Sequence, residues 1–493
     1  MKYPLVIFFR SIEHNYIDKF LQENDKLLNF TPFITNNLDD LTKLWNENYH
    51  VLLSFGNIDE YKLNFNKVLS TRMFIRWLHR DNIYDLEALN RSVNYCYINS
   101  IIKNIHNTRP IFSIMTTCYN SYNKINRVYD SIKKQIFKDW EWVIMDDSPT
   151  DDHFNSLKEK FNNDSKIRLY RRSQNSGNIG NVKNECVSLC RGKFVIELDH
   201  DDELIPSTLS DAVRAFDENE DVGFIYMDFI NLYENGNNFN YKNVFSLGYA
   251  GYYMQKYNNK WVYVNNSANI NNITLSHIVS IPNHPRIWRK DVLMKIGNYS
   301  EYLPICDDQE LILRTAINTK IIKIAKLGYI QYMNDGGNNF SLIRNSEINR
   351  LGPKYIVPQF YEMYKIDEKM KELDAYEDEI YKSKISKIWT RKDYTPKYCN
   401  KVIQYDYDKQ YCILGLDTFN KNLSNIKELY KNIRNDFILF QSNDTIENIS
   451  KILDDNDLDR FKFYTMKDTS NKEFTNFFNM CYKSCNDFEI ISE

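Results

Sequence analysis

The sequence predicts an α/β protein built on a central doubly wound sheet and flanked by smaller α/β domains. Three observations predict it. From Ile111 to Leu198 short apolar runs alternate with stretches of helical period, the pattern of strands joined by helical crossovers. Acidic clusters stand where two of those runs end, Asp146-Asp147 and Asp199-His200-Asp201-Asp202, and ligands of open parallel sheets gather beyond the carboxyl ends of the strands. The same order of runs begins again after residue 410, which marks an internal repeat.

Residues 1–107 are expected to form a small α/β domain with a parallel sheet, from the apolar runs Leu5 to Phe9, Val51 to Phe55 and Met73 to Trp77. It carries no glycine-rich nucleotide loop, so its role is unreadable. The polar stretch Asn104 to Pro110 reads as a linker, since proline disfavours helix at the residue before it. Over 108–345 the expected order is strand Phe112 to Met115, helix Ile125 to Ile136, strand Trp140 to Met145, helix Ser156 to Phe161, strand Ile167 to Tyr170, helix Asn181 to Cys190 and strand Phe194 to Leu198. Residues 346–400 read as a helical linker that packs back on the central unit or bridges to the next, with a mostly solvated face preferred for Glu362 to Tyr381.

In the tail, 401–493, Cys412 to Asn420 mirrors Phe112 to Asn120, Phe437 to Ser442 mirrors Trp142 to Asp147, Phe461 to Tyr464 mirrors Ile167 to Tyr170, and Asn479 to Cys485 followed by Phe488 to Ile491 mirrors Asn184 to Cys190 and Phe194 to Glu197. The repeat reaches Glu493 where its acidic motif is due, so the chain is expected to be a piece of a longer protein rather than to carry a degenerate repeat.

Composition narrows the function. With 43% hydrophobic and 15% aromatic residues the chain is folded, unlike disordered sequences. The 63 basic and 66 acidic residues leave a net charge of -3, which gives no field for nucleic acid. Nine scattered cysteines without a C-x-x-C pair exclude a disulfide scaffold and a cysteine zinc site. No run approaches the roughly 20 apolar residues of a membrane span, and Leu5 to Phe9 is too short for a signal segment; a cytoplasmic protein acting on a small molecule is expected.

Two carboxylates at the spacing of Asp199 and Asp201 suit a hard divalent cation that neutralises a leaving diphosphate. On an extended segment the two would point the same way; the alternative is a solvated turn in which Asp202 caps the next helix. The motif has company: Thr116-Thr117-Cys118-Tyr119-Asn120 ends the first strand, Asp146-Asp147-Ser148 the second, and Asn175 to Asn184 opens a helix before the acidic run.

Together these four motifs resemble the family 2 glycosyltransferases of the GT-A fold, over about 235 residues. The resemblance implies an inverting, metal-dependent transfer of a hexose-type sugar from a nucleotide-diphosphate donor, UDP by expectation, to the hydroxyl of a glycan, protein or lipid acceptor. It implies Thr117 and Tyr119 at the nucleoside, Asp147 accepting from base or ribose, Lys183 and Asn184 near the diphosphate or ribose, Asp199 at ribose and metal, and Asp201 on Mn²⁺ or Mg²⁺. The family's acceptor-side acidic pair reads Asp307-Asp308 here, after Gly297 to Glu301, with Asp308 the implied base. The departures are Thr116-Thr117-Cys118 for the usual Pro-Thr, His200 for a small residue and Asp307 for Glu. Competing readings are a metal-dependent nucleotidyltransferase and a catalytically silent binding module. Acceptor choice is expected within 230–290, where Trp261, His277, His284 and Trp288 suit either sugar stacking or core packing. Asn334 to Ser341 reads as a mobile acceptor-side loop.

Overall fold

The computed structural model of the chain describes residues 4–10, 16–42, 49–59, 76–106, 110–162, 164–239, 251–277, 281–333 and 343–377, with five further strands between 400 and 491. The chain divides into two compact units, Met1–Arg109 and Pro110–Glu493.

In the first unit β1 (Leu5–Phe9), β2 (Thr31–Thr35), β3 (Val51–Phe55) and β4 (Trp77–Arg80) form a parallel sheet in the order β2-β1-β3-β4. Val6 and Phe8 pack into the core on one face, Ile7 into that on the other. Burial on both faces explains why β1 and β3 read as unbroken apolar runs rather than alternating ones. Helix α1 (Tyr16–Glu23) buries Ile17 and Leu21, and α2 (Leu86–His106) continues through Asn104 and Ile105, beyond the expected linker start. Pro110 restricts only its immediate predecessor, so it does not end a helix four residues earlier. Met73 lies outside the described residues, and the strand there begins at Trp77.

In the second unit β5 (Phe112–Cys118), β6 (Trp140–Asp146), β7 (Ile167–Arg171) and β8 (Phe194–Glu197) are parallel in the order β7-β6-β5-β8. They are connected through α3 (Ile125–Lys133), α4 (Asp151–Phe161) and α5 (Ile179–Leu189). Chain order reverses between β5 and β8, a topological switch point of the Rossmann type. Then come β9 (Glu203–Leu204), α6 (Thr208–Glu218), β10 (Val222–Tyr233), β11 (Asn238–Phe239), the hairpin β12 (Gly251–Tyr257) and β13 (Lys260–Asn266), α7 (Asn272–His277), β14 (Arg286–Arg289), α8 (Lys290–Lys295), α9 (Asp307–Asn318) and β15 (Lys320–Met333). β14 lies antiparallel between β8 and β10, and β15 runs parallel to β10.

Two apolar layers sandwich the sheet. Ile114, Trp142 and Ile196 meet Val128, Ile132, Leu209 and Phe216 on one face; Met115, Val143 and Val195 meet Val182, Cys186, Leu311 and Ile312 on the other. Helices α10 (Asn345–Leu351), α11 (Val357–Met363) and α12 (Ile366–Glu372) follow. Most of the residues from 362 to 377 are exposed, as expected, while Ile366 and Met370 are fully buried in the layer that holds Leu311 and Ile312. Their i, i+4 spacing puts both on one helix face.

Strand β16 (Asn400–Ile403) joins β15 in parallel. The tail strands β17 (Gln410–Leu414), β18 (Phe437–Gln441), β19 (Phe461–Thr465) and β20 (Phe488–Ile491) form a parallel array in the order β20-β17-β18-β19. That order repeats β8-β5-β6-β7 strand for strand. The repeat's expected helix at Asn479 to Cys485 lies outside the described residues.

Candidate active site

The carboxyl ends of β5, β6 and β8 carry the predicted motifs. At the end of β5 Thr117 is half-buried and Tyr119 is 42% exposed, so this ring is not a core residue. The loop after it is tied down by His153 on α4. Its Nε2 faces the backbone N–H groups of Ser121 (3.1 Å) and Tyr122 (3.3 Å), while its Nδ1 lies 2.7 Å from Asp146 Oδ1. Backbone amides only donate, so Nε2 accepts and the proton sits on Nδ1, donated to Asp146. The imidazole is therefore neutral, and Asp146 holds the scaffold of the turn rather than facing a ligand. Ser148 Oγ also donates to Asp146 (2.7 Å) and accepts from Asn120 N (2.9 Å). Thr116, where the family pattern has proline, donates to Leu198 O (2.8 Å) and accepts from Trp142 Nε1 (2.9 Å), locking the end of β5 to the residue before Asp199.

Asp147 turns the other way. Its carboxylate accepts from Ser176 N (2.8 Å) and Asn175 Nδ2 (2.9 Å), which draws the loop before α5 against the end of β6. Burial pushes its pKa up to about 6, opposed by the Ser176 bond and Arg172. Asn178 caps α5, its side chain accepting from Asn181 N at 3.2 Å, as an N-cap should.

The run after β8 is a turn, not the extended segment expected. Its last member sets its shape: Asp202 Oδ2 accepts from Tyr329 Oη (2.9 Å) and Oδ1 from Tyr332 N (2.8 Å), while Tyr329 Oη accepts from Asp199 N (3.1 Å). Asp202 thus clamps the turn to β15 and caps no helix, since α6 begins only at Thr208. Asp199 is half-buried. Asp201 is buried with Oδ2 unpartnered among the described residues, and burial raises its pKa against the pull of His200. The close group of three possible ligands is Glu197, Asp199 and His284, whose donor atoms lie within 4.8 Å of one another; Asp201 is not part of that group.

Asp307 and Asp308 occupy the first turn of α9, where the helix dipole favours carboxylates. A dense charge cluster joins them to α5 and β8. Lys183 Nζ lies 2.6 Å from Glu197 Oε1 and 3.4 Å from Asp307 Oδ2. The guanidinium of Arg286, almost fully buried, reaches Glu197 Oε2 at 3.4 Å and Asp308 Oδ2 at 3.0 Å. Tyr299 Oη donates to Glu197 Oε2 (3.0 Å), and His284 Nε2 stands 3.2 Å from the same oxygen. Burial would raise the pKa of Glu197, but Lys183, His284 and Arg286 outweigh it and hold it well below the usual range. Asp307 is pushed up to about 6 by burial, which Lys183 opposes and Asp308 reinforces. Asn184 does not face this cluster through its amide, which donates to Tyr299 O (2.6 Å). The crossing is close enough to require glycine at 180, where a Cβ would meet Ser300 O at 2.3 Å and Asp307 Cβ at 3.0 Å.

Among the described residues the donor types suit a hard divalent cation, but Asp201 stands outside the close group. Asp201 offers an orphaned buried oxygen, and Asp199 and His284 offer an oxygen and a nitrogen close together. Glu197 fits less well, because Lys183 and Arg286 already neutralise it.

Sequence reasoning missed Glu197, His153, Arg286 and Tyr329. Glu197 had a visible signal, a charge inside the apolar run Phe194 to Leu198, since lone charges are rarely buried unless paired. His153, Arg286 and Tyr329 each have partners more than 30 residues away along the chain, which no local pattern marks. Among the aromatic candidates, Trp288 is core and donates to Thr315 Oγ1 (3.2 Å), and Trp261 packs edge-on against Phe463 of the tail. His284 stacks on Tyr329 at 5.1 Å. The side chain of His277 and the loop Asn334 to Ser341 lie outside the described residues.

Residues 113–297 match the family described as glycosyl transferase family 2. Chondroitin synthase of Escherichia coli is 33% identical over 128 residues, 26% of this chain and 18% of its own length. Poly(ribitol-phosphate) beta-N-acetylglucosaminyltransferase TarS of Staphylococcus aureus strain Mu50 is 33% identical over 123 residues, 24% of this chain and 21% of its own. This chain thus spans about a fifth of the length of either relative. The crystal structure of S. aureus TarS 1-349 in complex with UDP-GlcNAc is similar with a TM-score of 0.36 and 21% identity, covering 46% of this chain and 59% of that one.

Proposed function

We propose, from the premise that this chain carries a family 2 glycosyltransferase domain over residues 113–297, that it moves a sugar from a nucleoside-diphosphate donor, UDP by preference, to an acceptor hydroxyl with inversion at the anomeric carbon. The observation that carries the reading is the gathering of three acidic elements at one edge of the sheet: Asp147 after β6, Asp199 and Asp201 after β8, and Asp307 and Asp308 opening α9. Single displacement needs this division of labour, with one group for the nucleoside, one for the departing diphosphate and one for the incoming oxygen.

In this reading Tyr119 stacks on the base, and Asp147, ionised, accepts from its imide N–H, the feature that favours uracil. Asp199 and Asp201 would hold Mn²⁺ or Mg²⁺, with His284 beside Asp199; the ion would supply electrostatic stabilisation to the leaving diphosphate. Asp308 takes the proton of the acceptor hydroxyl as its oxygen bonds to C1 and the bond from C1 to the diphosphate oxygen breaks. Lys183, buried between Glu197 and Asp307, keeps its positive charge on the diphosphate side. The structures of TarS with UDP and UDP-GlcNAc, and of a mannosyltransferase with GDP-Man and Mn²⁺, concern those proteins and set the choice of probes.

Calorimetric titration with UDP and GDP, each with and without Mn²⁺, tests the reading. UDP binding that strengthens with metal, and weakens in Asp147→Ala and Asp201→Ala, supports it. Equal, metal-independent binding of both nucleotides speaks against it.

A further inference from the structure

We infer that Glu197 is the positioning residue of the acceptor-side carboxylates: it divides Arg286 between itself and Asp308, and Lys183 between itself and Asp307. The inference rests on Asp308 being the base of the proposed reaction. Glu197 stands two residues before Asp199, with donor atoms within 4.8 Å of one another, so the inference is carried by its pairings with the two cations. A carboxylate in the middle of a sheet, 2% exposed, is costly unless paired, and this one is surrounded by donors from three elements. Lys183 comes from α5, Arg286 and His284 from the start of β14 and the loop before it, and Tyr299 from the turn before α9. Asp307 and Asp308 face the same two cations from α9.

The geometry of Arg286 gives this a chemical meaning. One terminal nitrogen reaches Asp308 and the other reaches Glu197, while Nε donates to Pro282 O (3.0 Å). Asp308 Oδ2 therefore receives one arm of the guanidinium, while Oδ1 accepts from Gln309 N (2.8 Å). Two parallel N–H bonds would grip a carboxylate more strongly and make it a poorer proton acceptor. By occupying the second arm, Glu197 keeps Asp308 oriented yet basic. Without that charge the fork is free to close on Asp308, and Lys183 to close on Asp307. Donor recognition at Tyr119 and Asp147 lies on the β5 and β6 side and stays as it is.

The test is a double-mutant cycle on the full chain with Glu197→Gln, Arg286→Met and the pair together, reading kcat and the affinity for uridine. Glu197→Gln is expected to lower kcat about 10- to 100-fold, the cost of a misplaced catalytic group, with affinity for uridine, which reads the Tyr119 and Asp147 side alone, nearly unchanged. The pair is expected to be no worse than Arg286→Met alone, because one residue acts through the other. Arg286→Lys, which keeps the charge and loses the fork, should resemble Glu197→Gln and serves as the readout if that variant does not fold. Additive losses, an equal loss of uridine affinity, or a Glu197→Gln and an Arg286→Lys as active as wild type overturn the inference while leaving the proposed function standing. A wild type that turns over no nucleotide sugar overturns both.

Discussion

Substituting Gly180 by alanine tests whether the crossing of α5 with the turn before α9 sets the position of the acidic pair. The new Cβ would lie 2.3 Å from Ser300 O and 3.0 Å from Asp307 Cβ, against an ordinary contact of 3.4–4 Å. Backbone cannot swing aside as a side chain can. The Ser300 turn is also tied on both sides, by Asn184 Nδ2 to Tyr299 O at 2.6 Å and Asn178 Nδ2 to Glu301 O at 3.0 Å. The helix or the turn must therefore move by about 1 Å. Overpacking of this kind costs about 1–3 kcal/mol, while alanine in a helix regains about 0.5–1 kcal/mol over glycine, so a net loss of about 0.5–2 kcal/mol is expected. In a unit of this size that lowers Tm by about 2–4 °C per kcal/mol. Moving Asp307, and Asp308 with it, by the same distance should reduce kcat by up to about 100-fold. Thermal unfolding and initial rates of nucleotide release measure the two effects. A Gly180→Ala protein as stable as wild type, with the same kcat, refutes the close crossing and its role.

Three more expectations come from the same network. Asp147 is raised to about 6 by burial. Its ionised form, the hydrogen-bond acceptor, is lost as pH falls through 6, and UDP affinity measured between pH 5 and 8 should fall with it; Asp147→Asn should flatten that limb. The same raised pKa means the folded state binds this proton more tightly than the unfolded one, so ionising Asp147 lowers stability as pH rises from about 4 to 6. His153→Ala strips the acceptor from two backbone N–H groups and a partner from buried Asp146; UDP affinity should fall about tenfold, in line with about 1–3 kcal/mol for unsatisfied buried groups, and unchanged titration curves would contradict it. Asp228→Asn leaves Lys323, which is 3.6 Å from Asp228 Oδ1 and fully buried with it, without its counter-charge; a loss of about 3–5 kcal/mol is expected in denaturant unfolding.

The alternation of Phe112 to Cys118, Trp140 to Asp146 and Phe194 to Glu197 with amphipathic helices was legible because buried parallel strands are continuous apolar runs, and the acidic residues fall where such runs end. The repeat after 410 was legible for the same reason, and its strand order matches. What escaped is held by long-range pairing. Asp199 to Asp202 forms a turn because Tyr329 and Tyr332, over 120 residues later, clamp Asp202, and extended backbone is the natural reading of a strand end without that knowledge. The charges after Glu362 made the mostly solvated face legible, while they conceal Ile366 and Met370, which supply the buried contact. Trp288 was undecidable because an indole suits a sugar or a core equally until its N–H is seen to find Thr315.

The central claim is tested most directly by nucleotide release from a panel of UDP- and GDP-sugars with Mn²⁺ or Mg²⁺, comparing wild type with Asp201→Ala and Asp308→Ala. The account predicts metal-dependent release from one UDP-sugar, lost in both variants, with UDP still bound by Asp308→Ala. Release that persists in Asp201→Ala and Asp308→Ala, or none from any donor by a wild type that binds UDP, would contradict it.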